Sequence, residues 1–193
     1  MKWVAHIQNL AAISGILLPF LTLLVLVGSL PYAPWFSWTE NAISDLGRPE
    51  YGLLFFNYGL ILIGFLMLIF SIGLNLHLKK ERVGPTIFSL SALYLIGVGV
   101  FPLPSINHVD LSGLFFIAFP IGFFVMGVRL FKRPDDVLRR IGFEALVITA
   151  IAAGSSVFLL VFSGIAIPEV FVLFPGFLWC ARYGVYLLSE RET

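Results

Sequence analysis

The residues able to do chemistry gather in one stretch, Trp38 to Tyr51, reading WTENAISDLGRPEY. Glu40, Asn41, Ser44, Asp45, Arg48 and Glu50 fall there within a few positions, in a chain otherwise dominated by hydrocarbon. A second, smaller polar segment, FPLPSINHVD, brings His108 and Asp110. A histidine facing a carboxylate can act as a general acid–base pair, so Asp45 and His108 are the first catalytic candidates, with Ser44 as a nucleophile. The same groups, with Asn41, Glu50 and Asn57, can instead form a ligand-binding set. Asp45, His108 and Asp110 could supply part of a metal site. Catalytic zinc needs three protein ligands, however, and neither HExxH nor CxxC is present. No cofactor is implied.

Each of these residues also has a purely structural use. Ser44, Asp45, Asn107 and Asp110 are side chains that cap turns and helices. Pro49-Glu50 and Pro168-Glu169 fit helix starts, where proline's missing N–H is not needed and a carboxylate meets the helix dipole. Gly47 suits a left-handed residue closing a short turn.

Composition decides what must position these residues. Of 193 residues 59% are apolar and 12% charged, and mean hydropathy is +0.99. A soluble domain carries about twice that share of charge. Six long apolar runs emerge, at Ile7–Leu30, Leu53–Leu76, Gly84–Phe101, Leu111–Phe131, Ile141–Ser163 and Val170–Leu188. Each approaches the roughly 20 residues that cross a bilayer core as helix. The expectation is an all-α, polytopic membrane protein, a six-helix bundle forming one transmembrane domain over 1–193. The first run is too long for a signal-peptide core and reads as a retained span.

Eleven of the twelve lysines and arginines lie in the segments on one side, and Arg48 stands alone on the other. The positive-inside rule then predicts both termini in the cytoplasm and the 31–52 loop outside, in the cell (plasma) membrane. With a net charge of +1, sorted by side, nothing suggests nucleic acid. The expected partner is a membrane lipid, with a protein partner or second copy as the alternative. The single cysteine, Cys180, excludes an intrachain disulfide. Ala150, Ala152, Ala153, Gly154, Ser155 and Ser156 predict a slim packing surface on the fifth helix. Glu144 and Arg182, at similar depth on adjacent helices, predict an ion pair, with a proton or ion relay as the alternative.

Asn41-Ala42-Ile43-Ser44-Asp45-Leu46-Gly47, followed by Phe56-Asn57, Phe101-Pro102 and His108, resembles the DUF998 family of prokaryotic six-helix membrane proteins. The I-S-D-x-G and P-E pattern of the first loop is also similar to the DRAM/FRAG-like eukaryotic six-helix proteins, with a shorter spacer before Pro49-Glu50. The first resemblance implies the fold and no activity. The second implies lipid handling, with Asn41, Ser44, Asp45, Gly47, Pro49 and Glu50 at motif positions. The reading that joins these observations is binding of a lipid or small amphiphile at an outer polar pocket. The alternatives are a membrane-embedded hydrolase or transferase using Asp45 and His108, or a small transporter.

Overall fold

The computed structural model describes residues 2–48, 54–79 and 81–190, and these form helices and turns without a strand. Six helices are long and apolar enough to cross a membrane: α1 (Lys2–Ser29), α2 (Leu54–His77), α3 (Val83–Val100), α4 (Ile106–Phe131), α5 (Asp136–Ser155) and α6 (Ala166–Ser189). Helix is the outcome hydrocarbon demands, since the backbone N–H groups beyond the first turn find their acceptors within the segment. The chain is a multi-pass membrane protein.

Successive helices pack side by side and α1 meets α6, so the six close into a ring. Both ends of the described chain lie at one end of this bundle, here the terminal end; the α1–α2 connection lies at the other. Inside the ring runs a column of rings from three helices, α3, α4 and α6. Phe88 lies 5.4 Å from Phe119, Phe119 5.6 Å from Phe177, Phe123 5.1 Å from Trp179, and Trp179 5.1 Å from Tyr183. Lipid tails are as apolar as leucine, so such a bundle is held by van der Waals fit more than by exclusion of water. Edge-on and tilted ring pairs add about 0.5–1.5 kcal/mol each beyond area burial.

Small residues bring α1 against α6. A Cβ on Gly15 would stand 2.7 Å from the Cys180 carbonyl oxygen, and one on Gly184 2.5 Å from that of Ala12. The outward residues of the ring, among them Phe20, Leu24, Phe65, Ile117, Phe124 and Leu178, are exposed and face the bilayer.

Two helix ends differ from the hydropathy reading, and both shape the site. α4 begins at Ile106, so His108 and Asp110 stand in its first turns and not in a loop. Ser105, just after Pro104, is the non-helical residue that precedes its first turn, with φ −58° and ψ 135°. At the far end α5 stops at Ser155 and tightens into a 3-10 segment, Ser156–Leu160, leaving Leu160 87% exposed. α5 is tied to α6 near its own start, where the buried Trp179 Nε1 donates to the Ile141 carbonyl at 2.9 Å. Toward the α1–α2 end the two helices leave a gap.

Candidate functional site

The α1–α2 connection folds back over the bundle and is stitched to the start of α6. Asn41's carbonyl oxygen accepts the N–H groups of Ile165 (3.0 Å) and Ala166 (2.9 Å), two donors that a helix start leaves without partners. Thr39's carbonyl accepts from Gly164 at 2.8 Å. In return α6 reaches across: Glu169, 6% exposed, accepts the Ile43 N–H on Oε2 at 2.6 Å. The close approach needs Gly164, since a Cβ there would run into the backbone of Glu40 and Asn41.

Within the connection a 3-10 segment, Ile43–Gly47, is fixed by Asp45. Asp45 Oδ2 accepts from the Ala42 N–H at 2.8 Å and from Asn41 Nδ2 at 3.3 Å, while Oδ1 pairs with Arg48 Nε at 2.7 Å. Asn41 Oδ1 accepts the Ser37 N–H at 2.8 Å. Gly47 is not left-handed, contrary to the turn reading; its need is room. A Cβ there would meet Asn57 Oδ1 and would lie 2.9 Å from Phe56 Cδ1. Asn57 Nδ2 donates to the Gly47 carbonyl at 2.6 Å, docking the connection on α2. Glu50 lies outside the described residues.

Beneath this lid a cleft of about 540 Å³ separates α4 from the end of α5 and the start of α6. Its polar residues are Ser44, His108, Ser112, Ser155, Ser156 and Glu169. Leu103, Val109, Phe116, Leu159, Ile165 and Val172 supply apolar wall. Gly113 lies on α4's contribution, and a Cβ there would have nothing within 4 Å. A smaller cavity, about 50 Å³, continues from Ser44, Ser112, Phe116 and Glu169 toward Thr22 and Phe177. In the other direction a groove of about 320 Å³ runs between α4 and α5 past Pro120, Phe124 and Thr149, sharing Phe116, Ala152 and Val172 with the cleft.

Several polar groups here have no protein partner. His108 is 2% exposed; its Nδ1 meets the Phe101 carbonyl at 2.8 Å, and its Nε2 has no hydrogen bond among the described residues. The Ser44 and Ser112 hydroxyls and Glu169 Oε1 likewise make none among these residues. Buried Thr22 Oγ1 is a further orphan in the inner cavity. Buried groups are usually satisfied, so a cluster of orphans beside open space is where a ligand's polar atoms would be accommodated.

The structure therefore sorts the candidates. Ser44 and His108 share the cleft; Asn41, Asp45 and Asn57 hold the lid, and Asp45 has both oxygens engaged and is outside the cleft lining. No hydrogen bond joins Asp45 to His108 among the described residues. Asp110 is exposed on α4, and no group of three or more His, Cys, Asp or Glu that could hold a metal occurs among the described residues. Glu169, which the sequence assigns to a helix start, lines the cleft as well. Its only signal was a carboxylate in α6's first turns, which a helix start explains equally well.

Two other expectations change. The small residues of α5 do not form a packing face: Ala150, Ala153 and Gly154 are exposed, while Ala152, Ser155 and Ser156 form the cleft's wall. Glu144 and Arg182 line one groove between α5 and α6, but no ion pair or hydrogen bond joins them. At the terminal end a separate polar cluster links α2 to α6, with His77 Nδ1 3.6 Å from Glu190 and the Tyr186 hydroxyl bonded to the same carboxylate.

Residues 13–186 match the family described as protein of unknown function (DUF998), and the chain belongs to that family. No curated protein and no solved structure is similar enough to the chain to match it.

Proposed function

We propose that this member of the DUF998 family binds a lipid or other small amphiphile in the cleft between α4, α5 and α6. The observation that carries the reading is the cleft's polarity gradient. Orphan polar groups of Ser44, His108, Ser112 and Glu169 crowd one end, and an apolar groove continues from the other along α4 and α5. A polar head and a hydrocarbon tail fit such a gradient in one orientation only. A pocket with mostly apolar walls and a few placed polar groups is the usual form of a small-molecule site.

The cleft borders residues that face hydrocarbon, including Val109, Leu159 and Ile165, so a ligand can enter sideways from the bilayer. The concentration of lysine and arginine at the terminal end supports, by the positive-inside rule, a reading with both termini in the cytoplasm and the lid on the outer side of the plasma membrane. The ligand would then come from the outer leaflet. Binding is favoured over hydrolysis because a serine nucleophile needs a base within hydrogen-bond reach. Ser44 is bonded to neither His108 nor Glu169.

A photoreactive group placed midway along an amphiphile's chain tests the reading. Cross-links should fall on α4 and α5 between Phe116 and Thr149. Cross-links spread evenly over the exposed faces of α1, α2 and α3 would contradict it.

A further inference from the structure

We infer that the cleft selects an amphiphile whose polar group donates hydrogen bonds, a hydroxyl or a primary ammonium, over one carrying phosphate or carboxylate. The inference rests on the cleft being the binding site and adds the chemistry of the headgroup.

The polar end of the cleft offers hydrogen-bond acceptors. Glu169 spends Oε2 on the Ile43 N–H and keeps Oε1 without a partner among the described residues. His108 Nδ1, 2.8 Å from the Phe101 carbonyl, has to donate to it, so in the neutral ring Nε2, which has no partner among the described residues, is left as an acceptor.

Among the described residues, the cleft also lacks a cation: no lysine or arginine lines it. Arg48, the only base of the nearby connection, is paired with Asp45 at 2.7 Å. The start of α6 would otherwise suit an anion, because helix N-termini offer free N–H groups. Here the Ile165 and Ala166 N–H groups are bonded to Asn41's carbonyl, and Pro168 has no N–H at all. A phosphate in this place would meet the Glu169 carboxyl and the His108 Nε2 lone pair, with no guanidinium or ammonium to offset them.

The test compares four amphiphiles with the same saturated chain, bearing a primary alcohol, a primary amine, a carboxylate or a phosphate monoester. Each is offered to the full chain in detergent at neutral pH, and retention is read by native mass spectrometry. The alcohol or the amine, or both, should be retained at least about tenfold more than either anion. Glu169→Gln should remove the amine's advantage and leave the alcohol's largely intact, which distinguishes the two donors. Gly113→Leu, which fills the cleft, should abolish the retention of every donor that binds. Gly154→Leu, an equally open helix position outside the cleft lining, should not. Equal or stronger retention of phosphate or carboxylate, still lost in Gly113→Leu, would overturn the headgroup inference and leave the cleft reading standing. Retention unaffected by Gly113→Leu would overturn the cleft reading itself.

Discussion

Ile43 and Glu169, 126 positions apart, are joined by a 2.6 Å hydrogen bond from the backbone N–H of the first to the buried carboxyl of the second. With the two α6 N–H groups on Asn41's carbonyl, it makes the α1–α2 connection and the α6 start into one reciprocal clasp. The clasp forms a lid over the cleft, so stability and binding share residues here and their effects must be separated by choice of substitution.

Glu169→Ala should lower the thermal midpoint in detergent, by the equivalent of about 1–3 kcal/mol, because it leaves the Ile43 N–H buried without a partner. Glu169→Gln keeps a carbonyl acceptor and should recover most of that loss. Equal destabilisation by both would show that the acceptor is not what matters.

Asp45→Ala removes the acceptor for the Ala42 N–H and the partner of Arg48. A loss of about 0.5–2 kcal/mol is expected, as for a helix cap, with retained amphiphile unchanged at temperatures where the variant is folded. Loss of ligand at full stability would return Asp45 to the binding site.

Gly47→Ala should destabilise by about 1–3 kcal/mol, since the added methyl has to displace Asn57 and Phe56. Shrinking Asn57 to Ala in the same chain should relieve the clash but forfeit the 2.6 Å bond to Gly47's carbonyl. The double variant should therefore be less destabilised than the sum of the two singles. Strict additivity in thermal unfolding would contradict the contact.

Glu40 and Lys79 are exposed at opposite ends of the bundle. With Cys180 buried, Glu40→Cys should react with a membrane-impermeant maleimide on intact cells, and Lys79→Cys only after lysis. The reverse pattern would invert the proposed orientation.

The helices were legible because hydrocarbon leaves the backbone one solution, and the apolar runs announce its length. The polar ends were less so. His108 read as a loop residue because hydropathy starts a span at Leu111, whereas the helix begins at Ile106. Ser44 and His108 were singled out by residue type, and the fold does bring them to one cleft. Glu169 was not, because its partner is 126 residues away and no local pattern encodes that bond. Depth along adjacent helices suggested a Glu144–Arg182 pair, but shared depth does not set the direction in which side chains point. The α5 small residues reflect the same limit: smallness permits close packing and equally permits a void.

The central claim is that the cleft holds an amphiphile, and native mass spectrometry of gently extracted wild type, Gly113→Leu and Gly154→Leu tests it most directly. The account predicts a retained lipid-sized adduct on wild type and Gly154→Leu that is missing from Gly113→Leu, with all three equally folded. The same adduct on all three, or on none, would contradict it.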